Sequence, residues 1–267
     1  MTSTPVPHEL RAPAHWRAIE FISDLHLCAQ TPQALALLRQ HLARSDADAV
    51  LLLGDVFEIW IGDDALQGDD GAGPERPLLQ ALAGMGRQRW IGFMHGNRDF
   101  LVGAAALAQG GWHALPDPTV LDAFGRRWLL SHGDGLCLAD HDYQRFRLQS
   151  RDERWQQQFL ARPLAERRQI ARQLRDASES RKSSVGFDGY ADVDTAEALR
   201  WLQAAAAETL IHGHTHRPAR HQLDERHERW VLSDWDLAAT PPRADLLRLS
   251  ATGLERRQLL PVASATA

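Results

Sequence analysis

The chain has 267 residues, 44% of them apolar, with 35 acidic against 30 basic side chains, a net charge of −5 and a pI near 6.2; this excludes nucleic-acid binding by overall charge and leaves enough apolar material for a sizeable core. Cys28 and Cys137 stand far apart with no C-x-x-C pair, which excludes a disulfide scaffold and suits a reduced, cytosolic protein. No run reaches the ~18 apolar residues of a membrane span, and the opening MTSTPVPHELRAPAHW lacks the charged-then-apolar layout of a secretion signal, so a cytoplasmic or peripheral protein is expected.

Short Val/Ile/Leu-rich runs predict buried strands near Ala18 to Ser23, Ala49 to Leu53, Trp90 to Met94, Arg127 to Ser131 and Thr209 to His212. Helical segments separate several of them, Gln33 to Arg44 being the clearest, and that alternation predicts a parallel arrangement. GDDGAGPERP, from Gly68 to Pro77, reads as a loop by composition. Between Gln144 and Lys182 there are eleven basic and five acidic residues, and Pro163 divides the stretch into two helical halves; this predicts an inserted helical cap, about 144–185. Phe146, Trp155, Phe159, Leu160, Ile170 and Leu174 give each half an apolar side. The insert reads either as a solvated Arg-rich helical pair whose stripe packs on the domain, or as a cradle for acyl chains whose basic surface holds a diphosphate or anionic lipid. Beyond His216, RWVLSDW and ADLLRLSATGLERRQLL have a two-residue period and are expected to form strands of a second sheet packed on the first.

Each of the five predicted strands runs into a short polar block: Asp24 and His26 in FISDLHL, Asp55 in VLLLGDVFE, Asn97 in FMHGNRD, His132 in LLSHGDG, and His214 with His216 in LIHGHTHRP. The carboxyl ends of parallel strands open onto a ligand-binding crevice, so these blocks are expected to share one rim. Carboxylate, carboxamide and imidazole form a hard-to-borderline donor set, better suited to Mn²⁺, Fe²⁺ or Zn²⁺ than to Mg²⁺ alone. Seven donors exceed the needs of one ion, so two ions sharing a bridging group are expected, with Asp55 the best bridge. Such a pair activates water and clamps both the attacking and leaving oxygens at phosphorus, which implies hydrolysis of a phosphate ester or anhydride. His95, His212, Glu58, Asp63, Asp64 and Asp99 lie beside these blocks and are expected to orient neighbours or hydrogen-bond in the core. Trp60, Trp128 and Trp201 are expected in the core.

The series D-x-H, G-D, G-N-[R/H]-[D/E], H-G-D and G-H-T-H, from Asp24 to His216, resembles the calcineurin-like metallophosphoesterases. Longer blocks, GDVFEIWIGDD, HGNRDFLVG, LLSHGDGLCLADHDYQRFR and HGHTHRPA, resemble the branch of that family acting on UDP-2,3-diacylglucosamine in lipid A synthesis. The resemblance implies a four-layer α/β/β/α sandwich, one domain over residues 1–267 with the helical insert. It places Asp24, His26 and His216 on one ion, Asn97, His132 and His214 on a second, and Asp55 across both. Two Mn²⁺ are implied, with Fe²⁺ or Zn²⁺ as alternatives.

Asn97 and Arg98 are the implied catalytic pair. Many phosphomonoesterases of this group carry His where Arg98 stands, as a general acid; arginine stays protonated and instead stabilises charge on phosphate oxygens. That suits a diphosphate, whose phosphate leaving group is a weak base. Substrate contacts are expected from Asn97, Arg98, Asp140, Tyr143, Ser178, Lys182 and His214. SESRKSSVGFDGYADVD departs from the branch pattern and leaves the register of Ser178 and Lys182 open, while SDWD stands where GDW is usual. Asp134 is expected either to orient His132 or to cap its loop. The implied reaction releases UMP and 2,3-diacylglucosamine 1-phosphate by attack at the α-phosphorus, at the cytoplasmic face of the inner membrane. The expected partners are the lipid-linked substrate and the membrane surface, with no nucleic acid and no protein. Two other readings keep the same residues: a hydrolase of another nucleotide diphosphate or phosphodiester, and a noncatalytic scaffold, against which the intact ligand set argues.

Overall fold

The computed structural model describes residues 4–67, 73–84, 89–185 and 191–260, with backbone alone from 176 to 185. The five predicted strands are present, but they do not make one sheet. They are β2 (Ala18–Ile22), β3 (Ala49–Leu53), β4 (Trp90–Met94), β7 (Arg126–Ser131) and β8 (Thr209–His212). The first three run parallel in one six-stranded sheet, continued by β5 (His113–Ala114) on one side and by β11 (Asp245–Ser250) and β12 (Gly253–Gln258) on the other. The last two belong to a second six-stranded sheet, with β1 (His8–Arg11), β6 (Thr119–Ala123), β9 (Arg220–Gln222) and β10 (Glu228–Val231), in the order β1-β6-β7-β8-β10-β9. The two C-terminal stretches expected to form one new sheet are therefore divided: β10 pairs with β8, whereas β11 pairs with β2.

Alternation along the strands builds the layers. Ile19, Phe21, Ala49, Leu51 and Leu53 from one sheet meet Leu121, Trp128, Leu130 and Ile211 from the other in a buried inter-sheet core. Their neighbours Ile22, Val50, Leu52 and Phe93 face outward and are covered by Leu38 and Leu42 of α1 (Pro32–Arg44), Leu78 and Leu79 of α2 (Glu75–Leu82) and Ala106 of α3 (Ala104–Gly110). On the opposite outer face, Val120, Leu129 and Leu210 are covered by Ala198, Trp201 and Leu202 of α7 (Thr195–Ala204). The result is the four-layer α/β/β/α sandwich. Each fully buried Leu or Ile contributes about 1.5–3 kcal/mol of transfer free energy.

Two predicted boundaries move. The loop reading of Gly68 to Pro77 fails at its end, because α2 begins at Glu75; Pro74 and Pro77 fall at its cap and first turn, where a missing N–H costs nothing. The insert is three helices, α4 (His141–Ser150), α5 (Glu153–Leu160) and α6 (Leu164–Val185). Asp152 accepts the Trp155 N–H at 2.9 Å and starts a new helix where one continuous half was expected, and Pro163 makes the second break.

Candidate metal centre

The carboxyl ends of the five strands meet where the two sheets abut. Asp24 N–H donates to Gly54 O at 3.1 Å and His26 N–H to Asp55 O at 3.0 Å, binding the loop after β2 to the loop after β3. Gly213 N–H donates to His132 O, and Trp235 N–H crosses to Asp24 O at 3.1 Å, which joins the sheets at this edge. Five candidate ligands hold left-handed backbone: Asp24 (φ 51), His26 (46), Asp55 (54), His214 (66) and His216 (52). Non-glycine residues seldom adopt this region, and its clustering on one rim is the pattern of a functional site held in place by the surrounding fold. Gly54, at φ +91, turns the chain out of β3, and a Cβ on Gly96 would collide with the Asp55 carboxylate, so these two glycines let the loops close around the site.

The seven predicted ligand side chains form one connected cluster. His26 Nε2 and His216 Nε2 face each other at 3.3 Å, and His216 Nε2 lies 3.3 Å from Asp24 Oδ1. Asn97 Oδ1 lies 3.0 Å from His132 Nε2 and 2.8 Å from His214 Nδ1. Asp55 Oδ1 is 3.8 Å from His132 Nε2 and accepts the Arg98 N–H at 2.8 Å. Among the described residues, Asp24, His26 and His216 could hold one cation, and Asp24, Asp55 and His132 another. Asp24 is common to those two sets.

Three of the imidazoles turn their second ring nitrogen toward an acceptor, His132 in a hydrogen bond and His26 and His216 in ion-pair contacts outside hydrogen-bond geometry. His132 Nδ1 lies 2.9 Å from Leu53 O, His26 Nδ1 3.1 Å from Glu58 Oε2, and His216 Nδ1 3.7 Å from Asp234 Oδ2. In each ring the other nitrogen is left to the cluster, the arrangement of metal-ligating histidine. Donor chemistry and ring orientation therefore fit divalent cations. Glu58, expected to orient neighbours or hydrogen-bond in the core, faces His26; Asp234 was not singled out in the sequence, and its signal was the Asp of SDW. Asp99 is wholly buried and accepts N–H groups from Val56 and Gly96, both at 2.8 Å, so it pins the Asp55 and Asn97 loops together.

Asp134 does not orient His132, whose Nδ1 faces Leu53 O. It sits under α4, accepting Arg147 Nε–H at 2.9 Å and the Tyr143 hydroxyl, and so ties the insert to the rim. Tyr143 packs against His214 with ring centroids 5.7 Å apart, and Asp140 caps α4 by accepting the Tyr143 N–H at 3.1 Å. Arg98 is largely enclosed, its guanidinium 3.7 Å from Glu58. Ser178 and Lys182 fall on the α6 backbone, and their side chains lie outside the described residues.

Electrostatics follow from packing acids and imidazoles together out of water. Burial works against charge on His132, yet Asp55 and Asp24 push it up to about 9. Burial and the neighbouring His132 press His214 down to about 3. Burial would raise Asp24, but His216, His132 and His26 hold it well below the carboxylate range. Glu58 is raised by burial and brought down to about 2 by His26, Arg98 and Arg175, while burial and Asp55 lift Asp99 to about 7.

Residues 19–218 match the calcineurin-like phosphoesterase family. A protein of Chromobacterium violaceum named UDP-2,3-diacylglucosamine hydrolase is 49% identical over 221 residues, 82% of this chain and 90% of its own length. Proteins of the same name from Xanthomonas campestris pv. campestris and Aromatoleum aromaticum are 42% and 46% identical, over 90% and 80% of this chain and 98% and 88% of theirs. The family match spans all seven clustered donors and strands from each sheet, and the chain belongs to the calcineurin-like phosphoesterases.

Proposed function

We propose that this chain hydrolyses UDP-2,3-diacylglucosamine, water attacking the α-phosphorus so that UMP and 2,3-diacylglucosamine 1-phosphate leave. The observation that carries the reading is the connected seven-donor cluster at the shared rim of the two sheets, with Arg98 beside it. Relatives named for this hydrolysis, aligned over most of both chains, support the substrate. Two divalent ions, Mn²⁺ by preference and Fe²⁺ or Zn²⁺ as alternatives, would lower the pKa of water and draw charge from phosphorus. Asp24, His26 and His216 would hold one and Asn97, His132 and His214 the other, with Asp55 as the shared ligand. Arg98, unable to give up its proton, steadies charge on the phosphate oxygens, and Asn97 and His214 hold the same group in line. Asp140, Tyr143, Ser178 and Lys182 are the residues we assign to contacts with the nucleotide and sugar.

The chain is one metallophosphoesterase domain carrying the insert. No described helix is long and apolar enough to cross a membrane. Leu148, Leu160 and Leu174, three of the four exposed large apolar side chains among the described residues, lie on the insert, which supports peripheral attachment to the cytoplasmic face of the inner membrane. The test compares UMP release from the acylated sugar nucleotide with turnover of unacylated UDP-sugars and p-nitrophenyl phosphate. Strong preference for the acylated substrate is expected; equal turnover of the simple esters would overturn the assignment.

A further inference from the structure

The two carboxylates facing candidate ligand histidines are anchored differently. Asp234, opposite His216, is gripped by Arg243 through bonds of 3.0 and 2.7 Å, and both residues lie on the loop between β10 and β11. Glu58, opposite His26, takes part of its support from the insert: Arg175 of α6 places Nε 3.3 Å from Glu58 Oε1, beside Arg98 at 3.7 Å. The Glu58 backbone N–H is meanwhile bonded to Leu27 O, next to His26.

Helix geometry explains how α6 reaches this point. Arg168 and Arg175 are seven residues apart, so they share a face about 10 Å long. Arg168 lies 3.5 Å from Glu75 on α2, and Arg175 meets Glu58 at the metal rim. One residue before Arg168, the buried Arg167 donates to Ile61 O and Asp64, which sets the helix on the core. Arg175 thus brings the insert onto the carboxylate that faces a candidate ligand.

We propose that Glu58 is the positioning residue of His26 and that Arg175 holds Glu58 in that role, so that seating of the helical insert and the aim of His26 at the metal centre are coupled. The proposal rests on the metal reading of the site. An imidazole whose distal N–H is held by a carboxylate is fixed in tautomer and ring angle, and loss of such a partner typically weakens metal binding 10–100-fold. Arg175 meets the carboxylate that faces the ring, so a coupled effect should pass through Glu58.

The experiment is calorimetric titration of Mn²⁺ into metal-stripped, full-length protein, with the melting temperature of the stripped protein recorded alongside. Glu58→Ala is expected to raise the dissociation constant about 10–100-fold. Glu58→Gln, which keeps an oxygen for the His26 N–H, is expected to restore part of it. Arg175→Ala is expected to weaken binding measurably alone and to add nothing to Glu58→Ala. Unchanged Mn²⁺ affinity in Arg175→Ala, with only the melting temperature moved, would overturn the coupling. So would full additivity of the Arg175→Ala and Glu58→Ala losses. His26→Ala and Asp55→Ala keep the two questions apart: if they lose Mn²⁺ while Glu58→Ala does not, the coupling alone fails, and if they bind normally the metal reading fails with it.

Discussion

Replacing Arg167 with alanine tests how the insert is held. The side chain is 1% exposed; it donates to Ile61 O, to both oxygens of Asp64, and through Nε to Arg162 O at 3.0 Å. Asp64 is half exposed, so water would replace its share and the ion pair itself is worth at most about 1 kcal/mol. Ile61 is buried, and its carbonyl would lose the Arg167 donor at a cost of about 1–3 kcal/mol. The total, about 1–4 kcal/mol, falls on the seam between α6 and the core. Because α6 can lift without the sheets separating, the expected signature is faster amide exchange in α6, roughly 5- to 1000-fold, with exchange in β2, β3 and β8 little changed. Arg167→Lys should recover only part, since one ammonium cannot span Ile61 O and both Asp64 oxygens. Hydrogen exchange read by mass spectrometry decides it: wild-type protection of α6 in Arg167→Ala would show that the buried arginine does not hold the insert.

Other expectations follow from the same contacts. Asp55→Ala and His132→Ala should each lower bound Mn²⁺ and UMP release by at least about 100-fold; retention of both by atomic emission and steady-state assay would remove the site. Asp99→Ala leaves the Val56 and Gly96 N–H groups without their acceptor and should cost about 3–5 kcal/mol in urea unfolding, with Asp99→Asn clearly milder because Asp99, lifted to about 7, is readily neutral. The metal-stripped protein should lose stability as pH rises above about 6.5. His132, raised to about 9, contributes stability that is full below its unfolded pKa and lost as pH rises through 9. His214, lowered to about 3, and Glu58, lowered to about 2, contribute stability that is lost as pH falls toward those values. Mn²⁺ should flatten the alkaline limb, because a bound cation takes the place of the proton on His132; melting curves across pH with and without Mn²⁺ check this.

The parallel strands were legible because strands buried on both faces declare themselves: AVLLL and TLIH are apolar at every turn of the pleat, and their bounds agree with the expectation residue for residue. β1, β5 and β9 were not, being two to four residues long and half-exposed, with no period to read. Nor was the division into two sheets. β11 reads DLLRLS whichever neighbour it takes, and only the fold decides that it lies antiparallel to β2 rather than beside β10. The ordered motifs let seven donors be picked out that do gather in one cluster, but a carboxylate behind a ring has no fixed spacing from it. Glu58 and Asp234 reach His26 and His216 from separate loops, so the sequence holds no local sign of either pairing. Asp134 illustrates the converse: its nearness in sequence to His132 suggested a partnership that Leu53 O fills instead.

Two sheets stacked face to face, with strand ends gathered at one rim, explain why the site is both strained and electrostatically loaded. Each sheet alone would present its strand ends to water. Brought together, they crowd Asp24, Asp55, Asp99 and Asp134 into an interior with almost no solvent, where like charges repel strongly. The chain meets that repulsion with protons on His132, arginines from the insert at Asp134 and Glu58, and backbone N–H groups at Asp99. Cations seated among these donors would relieve the same repulsion, so metal affinity, apoprotein stability and insert docking draw on one set of charges. Loading the centre should therefore stabilise the fold by mass action, about 2.7 kcal/mol at a hundredfold excess over the dissociation constant for each ion, and should tighten α6 along with the sheets.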